Sequence, residues 1–97
     1  MKLRYTERAI ADLEAIQSYI TEHNPTASVA VGVRIRAAIE NLADFPGIGR
    51  ARDAKTRVLP IVTYPYAVYY SVDDKAKEVV IIHIRHGRRR PVQTREL

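Results

Sequence analysis

Cysteine and tryptophan are absent from this chain, and phenylalanine and methionine occur once each. The lack of cysteine excludes disulfides and thiolate metal sites together. The three histidines have no nearby carboxylates at a metal-binding spacing, so they do not replace such a site. We therefore expect a protein without a metal ion or any other cofactor.

Long hydrophobic runs are also missing. No apolar stretch approaches the ~20 residues that a membrane span requires, and charges interrupt the N-terminal segment MKLRYTERAIADLEAI, which is unlike a signal peptide. A chain of 97 residues has the size of one ordinary core. These observations predict a single cytoplasmic domain over residues 1–97, with a basic C-terminal tail from about residue 86 to 97 and no membrane partner.

The excess of positive charge, +5 in total, is concentrated in two segments. Residues 46–57 carry four basic side chains against Asp53, and residues 85–97 carry five arginines against Glu96. The rest of the chain is nearly balanced in charge. An anionic partner is therefore expected to bind near the loop, the tail or both.

Two stretches have helical periodicity. Over residues 7–23, Ile10, Leu13, Ile16 and Ile20 recur at helical spacing, and Thr6 is placed to cap the first turn. Asn24 and Pro25 end this helix and begin a second one that runs to about Asp44, because Asn suits an N-cap and Pro the first helical position. The pattern predicts an antiparallel helical hairpin.

The remaining segments have the alternation of strands. Residues 2–5, TRVLPI, YAVYYSV and EVVIIHIRH are predicted strands, and the last is apolar on both sides, as a central strand is. Pro60 cannot donate to a ladder, so its strand is assigned to a sheet edge or a bulge. Segment 46–55 is interpreted as a mobile loop. The predicted fold is α+β, in the order βααβββ, with the helical hairpin on one face of a small, mainly antiparallel sheet.

The strand end HIRHGRRRP contains four arginines and two histidines, which is too many charged side chains for a buried core. Gly87 and Pro91 bracket its arginines, which favours a fixed path for the chain over a solvated tail that only maintains solubility. Arginines bind carboxylates bidentately as readily as phosphates, so the partner is either an acidic protein surface or a nucleic acid. The predicted target-binding residues are Arg85, His86, Arg88, Arg89 and Arg90, with Arg50 and Arg57 as weaker candidates.

The two histidines of this strand allow different interpretations. His83 fits an ordinary, hydrogen-bonded side chain on one face of a central strand. His86 is expected to be exposed beside Arg85, whose charge disfavours the imidazolium, and it is either a neutral contact residue or simply solvated.

The tyrosines divide between the two faces of the predicted sheet. Tyr66 and Tyr70 share the parity of the neighbouring valines and should face the helices, which favours packing over a platform for stacked bases. Tyr69 faces the other way. Tyr69 and Ile81 are assigned to an uncovered apolar strip, on which a partner segment would lie as a helix or an added strand.

Several motifs and their order along the chain resemble those of the ParE/RelE superfamily of bacterial toxins. The similarity rests on the opening YTERAIADLEAIQSYI, the FPGIGR loop, the strand pair R-x-L-P-x-x-x-Y-P-Y-x-V-Y-Y and the ending I-H-I-R-H-G-R-R, and it spans about residues 3–90. The ending is most similar to the ParE branch. The resemblance implies the toxin of a type II toxin–antitoxin system, a device of plasmid stabilisation and growth inhibition, neutralised in the cytoplasm by a cognate ParD-like antitoxin.

The two branches of this superfamily differ in target. The ParE resemblance implies a protein that inhibits DNA gyrase and is not itself an enzyme, whereas RelE-like members cleave messenger RNA in the ribosome. RelE-like enzymes carry an arginine early in the strand YAVYYSV, where this sequence has Ala67, and a late tyrosine, which is absent after Tyr70. The alternatives are a RelE-like endonuclease that uses Arg85, His86 and Arg89, and a simple nucleic-acid-binding module.

Overall fold

A computed structural model of the chain describes residues 1–86, which form two helices packed on a five-stranded sheet. In chain order the elements are β1 (Lys2–Tyr5), α1 (Glu7–His23), α2 (Pro25–Asp44), β2 (Arg50–Ala51), β3 (Arg57–Pro60), β4 (Tyr66–Asp73) and β5 (Glu78–His86). The sheet order is β1-β5-β4-β3-β2, with β1 parallel to β5 and the other pairs antiparallel. The predicted α+β fold is confirmed, and β2 is added to the predicted elements.

The helical hairpin begins and ends where its capping residues predict. The Thr6 side chain accepts a hydrogen bond of 3.0 Å from the Ala9 amide, and the Asn24 side chain accepts one of 3.1 Å from the Ala27 amide. Pro25 occupies the first turn of α2, where its missing N–H leaves no bond unmade. Within residues 1–86, neither helix is long and apolar enough to cross a membrane.

The main core lies between the hairpin and the sheet. Its largest fully buried side chains are Tyr70, Ile39, Leu42, Ile81, Val68 and Val79. On α1 the prediction was wrong for Ile10, which is 47% exposed, while Ala9 is fully buried. The small Ala9 side chain lets the first turn of α1 approach β5 closely, and this close approach rotates Ile10 toward solvent.

The basic loop is more ordered than its composition suggested. Arg50–Ala51 pairs with Arg57 and Val58 as a two-residue strand, so the interpretation of residues 46–55 as a loop was wrong at these two positions. Among the described residues, β2 covers only the first half of β3, and Pro60 therefore lies at a free sheet edge, as predicted.

A β-bulge interrupts the pairing of the two longest strands. Tyr69 pairs with His83 and Tyr70 pairs with Ile81, so Ile82 is an extra residue in β5. The bulge reverses the alternation of side chains along the strand: Ile81 before it and Ile84 after it both belong to the helix-facing core. His83 and Arg85 are consequently placed on the opposite, helix-free face of the sheet.

Candidate target-binding site

The helix-free face of the sheet carries a cluster centred on Tyr69. The His83 ring stacks on the Tyr69 ring with 4.4 Å between centroids and 12° between planes. The guanidinium carbons of Arg52 and Arg85 lie 5.2 Å and 6.0 Å from the centroid of the same ring, within the range of cation–π attraction. We call Arg52, Tyr69, His83 and Arg85 the Tyr69 cluster. It holds two guanidinium groups against one rigid ring.

A cavity of about 430 Å³ adjoins this cluster. Arg50 and Arg52 contribute its positive charge, and none of its lining residues is acidic. Its other walls are formed by Val58, Pro60, Ile61, Tyr64, Pro65, Tyr66, Ala67 and Tyr69. The arrangement suits a ligand that presents negative charge to the arginines and an apolar or aromatic group to the tyrosines.

His83 is the member of the cluster whose ionisation is perturbed. Burial lowers its pKa below the usual 6.5, and the positive charges of Arg8 and Arg85 lower it further, against a smaller opposing effect of Asp12. The shift favours the neutral imidazole. Within residues 1–86 its buried Nδ1 atom has no hydrogen-bond partner, which differs from the expected hydrogen-bonded side chain. A neutral imidazole between two arginines can accept a proton or a hydrogen bond from a ligand.

Three hydrogen-bonded anchors give the loop that carries Arg50 and Arg52 its shape. The Tyr70 hydroxyl accepts a hydrogen bond of 2.8 Å from the Gly49 amide and donates one of 2.8 Å to the Pro46 carbonyl. A β-carbon on Gly49 would lie 2.7 Å from Cε1 of Tyr70, so this close approach requires glycine.

Arg57 is the second anchor, and its contacts differ from those predicted. Its Nη1 atom donates hydrogen bonds of 2.6 Å to the Gly49 carbonyl and 3.3 Å to the Gly47 carbonyl. Arg57 is directly paired with Tyr70 and therefore shares its face of the sheet, opposite to the Tyr69 cluster. Its guanidinium supports the loop instead of joining the cluster.

Asp53 is the third anchor. Its Oδ1 atom accepts hydrogen bonds from the amides of Lys55, at 2.9 Å, and Thr56, at 2.8 Å. These two bonds lower the pKa of the carboxyl group below its usual value. The turn that they close leads the chain from β2 into β3.

The structure separates several residues that the sequence placed together. His86 is paired with Tyr66, contacts its ring edge-on at 5.4 Å, and lines a cavity with Asp12 and Tyr19 of α1. It is partly buried on the helix side, so the expectation of an exposed ring beside Arg85 was wrong. Of the alternative trio Arg85, His86 and Arg89, the first two lie on opposite faces of the sheet. Arg88, Arg89 and Arg90 lie outside the described range of the chain.

The predicted apolar strip does not exist in the described part of the chain. Ile81 is fully buried in the helix-facing core, because it precedes the bulge. Tyr69 does face away from the helices, as predicted, but it is 3% exposed and packs with Val58 and Ala67. Ile81 therefore offers no surface to a partner.

Arg52 and His83 are the residues of the cluster that sequence reasoning did not assign to a site. Arg52 lies two positions after Arg50 and one past the end of β2, and the R-A-R spacing is a local signal that both side chains lie on one side of an extended segment. Among residues 1–86, no group of three His, Asp or Glu side chains is arranged to hold a metal ion.

Two guanidinium groups beside an aromatic ring, on the helix-free face of a small sheet backed by a helical hairpin, define a small α+β protein with a cationic face. Comparison with known proteins gives the family. The family described as the ParE toxin of the type II toxin–antitoxin system, parDE, matches residues 3–91. The chain belongs to this family of toxins, within the ParE/RelE superfamily.

Two individual relatives are also named as toxins. Toxin RelE2 of Caulobacter vibrioides is 40% identical over 85 residues, which cover 88% of this chain and 93% of the relative. Putative toxin Y4kP of Sinorhizobium fredii is 32% identical over 83 residues, covering 84% and 86%.

Solved structures agree with this assignment. A chain of the chromosomal ParDE toxin–antitoxin system from P. aeruginosa superposes with a TM-score of 0.76 and 26% identity, over 89% of this chain and 95% of that one. The isolated E. coli RelE toxin has a TM-score of 0.71 at 18% identity, over 96% and 90%, and shows the shared fold alone.

Proposed function

We propose that this toxin inhibits DNA gyrase by binding an acidic surface of the enzyme through Arg50, Arg52 and Arg85. The observation that carries the proposal is the arrangement of these guanidinium groups around Tyr69 and its cavity. Within residues 1–86 the three arginines form no ion pair with a carboxylate of the protein itself. Their charges are available to a partner, and a guanidinium binds a carboxylate through two parallel hydrogen bonds.

The chemistry of the cluster supports binding more strongly than catalysis. Metal-free cleavage of RNA needs a base, an acid and a cation at the phosphate. Arginine does not exchange protons near neutral pH, which leaves His83 and Tyr69, and the Tyr69 side chain is only 3% exposed. RelE-like enzymes place an arginine at the position of Ala67, which is buried on this same face and supplies no charge.

The experiment is a gyrase supercoiling reaction with purified toxin that is free of antitoxin. We expect wild-type toxin at micromolar concentration to reduce supercoiling. The double variant Arg52→Ala/Arg85→Ala should need a concentration higher by about tenfold or more, because each lost charge-assisted contact weakens binding. Lys75→Ala is the matched control, since Lys75 is an exposed cation in the β4–β5 turn. Unchanged supercoiling with wild-type toxin would remove the proposal.

A second candidate function is ribosome-dependent cleavage of messenger RNA, and one observation favours it. The lowered pKa of His83 favours its neutral form, its Nδ1 atom has no hydrogen-bond partner in the part of the chain that the structure describes, and Arg52 and Arg85 lie against the ring on which it stacks. In this candidate function the base is His83, whereas the endonuclease considered from the sequence used His86. Codon-phased cleavage in a translation extract that disappears in His83→Gln would support it, and intact messenger under active translation would exclude it.

We also propose that a cognate ParD-like antitoxin neutralises the toxin by covering apolar surface on the helical hairpin. Val29 and Val33 of α2 are 69% and 57% exposed, and Ile10 of α1 is 47% exposed. A groove of about 440 Å³ between the helices, lined in part by Leu13 and Ile16, lies beside Ile10. Exposed apolar side chains beside an apolar groove are typical of a protein–protein contact. This surface replaces the strip predicted from Tyr69 and Ile81.

A further inference from the structure

The bulge in β5 leaves backbone groups that the sheet does not pair. β1 is the parallel neighbour of β5, but its last residue, Tyr5, pairs with Ile81, so within residues 1–86 β5 has no strand partner on that side beyond Ile81. The extra residue, Ile82, also interrupts the pairing with β4. Backbone groups at such a position cost free energy unless another part of the protein bonds them.

The start of α1 supplies the missing partners. The Thr6 amide donates a hydrogen bond of 3.1 Å to the Ile81 carbonyl, and the Thr6 hydroxyl donates one of 2.7 Å to the Ile82 carbonyl. Two turns further along the helix, Oδ2 of Asp12 accepts a hydrogen bond of 3.0 Å from the Ile84 amide. Side chains of α1 therefore bond the backbone on both sides of His83.

These bonds fix which face His83 and Arg85 occupy. In an uninterrupted strand, residues two apart share a face, and His83 and Arg85 would lie with Ile81 against the helices. The extra residue moves both of them to the helix-free face, where they meet Tyr69. The geometry of the Tyr69 cluster depends on this local arrangement of the backbone.

The position of Asp12 has one competing explanation. Its Oδ2 atom lies 3.9 Å from Nε of Arg8, one turn earlier on the same helix. An exposed pair at that separation contributes little to stability, and the Arg8 side chain is 68% exposed. The shorter, better directed contact of Asp12 is the one with the Ile84 amide.

We propose that Asp12, assisted by Thr6, is a positioning residue that holds the β5 bulge and thereby places Arg85 and His83 in the target-binding cluster. Neither residue touches the target. The expected loss of gyrase inhibition rests on the proposed function, whereas the expected change in the geometry of the Tyr69 cluster does not.

The experiment compares Asp12→Ala, Asp12→Asn and the control Glu14→Ala. Asn retains an oxygen that can accept from the Ile84 amide, whereas Ala does not. Glu14 is an exposed carboxylate on the same helix, so its replacement removes the same charge without touching the bulge. Thr6→Ala is less informative, because the Thr6 side chain also caps the Ala9 amide.

Two measurements report on the bulge independently of the target: hydrogen exchange of the Ile84 amide, and the nuclear Overhauser effect between the rings of Tyr69 and His83. In Asp12→Ala we expect exchange to accelerate by about tenfold or more and the ring contact to weaken. Gyrase inhibition should fall several-fold. Asp12→Asn should stay close to the wild type in all three measurements, and Glu14→Ala should match the wild type.

The possible outcomes separate the two proposals. Normal exchange at Ile84 and an intact ring contact in Asp12→Ala would overturn the positioning role. Equal losses in Asp12→Ala and Asp12→Asn would overturn it as well, because the effect would then follow the charge and not the hydrogen bond. If the bulge loosens in Asp12→Ala but wild-type toxin leaves gyrase unaffected, the positioning role stands and the proposed function fails.

Discussion

The Tyr70 hydroxyl connects the centre of the sheet to the basic loop. Its side chain is fully buried, and the hydroxyl bonds both the Gly49 amide and the Pro46 carbonyl. A buried hydroxyl that is satisfied on both sides is costly to remove, because two backbone groups then lose their partner. This residue therefore contributes to the position of Arg50 and Arg52 from a distance.

Replacement of Tyr70 by Phe should lower the free energy of unfolding by about 1–3 kcal/mol. For a domain of this size, the melting temperature would fall by ~4–8 °C per kcal/mol. Thermal denaturation followed by circular dichroism measures the change. Tyr19→Phe is the matched control, since Tyr19 is 59% exposed. Equal melting temperatures for Tyr70→Phe and the wild type would contradict the role given to this hydroxyl.

His83 should make stability depend on pH. Its pKa in the folded protein is lowered from 6.5, first by burial and then by Arg8 and Arg85. The unfolded chain therefore binds a proton more readily, and the free energy of unfolding should fall as the pH decreases below about 6.5 toward the folded pKa. Above that range His83 adds no pH dependence.

The prediction is tested by thermal denaturation of wild type and His83→Gln between about pH 5 and pH 8. The decrease in stability at acidic pH should be smaller in His83→Gln, because that side chain does not titrate. Parallel stability profiles of the two proteins would show that the pKa of His83 is the same in the folded and unfolded chains.

At the scale of elements, the segment from residue 46 to 56 shows why composition misleads. Glycines and charges predicted a mobile loop, yet Arg57, the next residue of the chain, and the distant Tyr70 bond its backbone at the edge of the sheet. The contacts of Tyr70 are not visible in a local pattern, because they exist only when β3 and β4 are paired. The order of this loop is what lets Arg50 and Arg52 act as a fixed surface.

Asp53→Ala should release the turn that leads from β2 into β3. The amides of Lys55 and Thr56 lose their acceptor, so their hydrogen exchange should accelerate and gyrase inhibition should weaken as Arg52 becomes less well positioned. Asp74→Ala is the control, since Asp74 is exposed in the β4–β5 turn. Protected amides at both positions in Asp53→Ala would argue against this anchor.

The strands show the same division between local and non-local information. Alternation in YAVYYSV placed Tyr66 and Tyr70 on the helix side, and both pack there. In EVVIIHIRH a bulge changes the count between Ile81 and His83, and no glycine or proline marks it. The face of Ile81 was therefore assigned wrongly, while the strand itself was predicted correctly.

At the scale of the whole molecule, the two proposed interaction surfaces lie on opposite sides of the fold. The Tyr69 cluster occupies the helix-free face of the sheet, and the exposed valines belong to the hairpin that covers the other face. One surface is cationic and the other apolar. Binding to the target and to the antitoxin should therefore respond to different substitutions.

Val33→Glu should weaken antitoxin binding by about tenfold or more, because a charge would be placed against apolar surface, and it should leave gyrase inhibition unchanged. Arg52→Glu should have the opposite effects. Calorimetric titration with the cognate antitoxin and the supercoiling reaction provide the two measurements. Loss of both activities in either variant, with folding intact, would mean that the surfaces overlap.

The two helices, four of the five strands and their order follow from the sequence alone, because periodicity, capping residues and turn residues are local and lie within a few positions of one another. The toxin family follows from the sequence too, since the motifs occur in a specific order along the chain. The site depends on the folded chain. The loop contacts of Tyr70, the ring beneath Arg52 and the face of His83 require the pairing of β3 with β4 and one extra residue in β5. These contacts join residues far apart in the chain, which spacing alone does not encode.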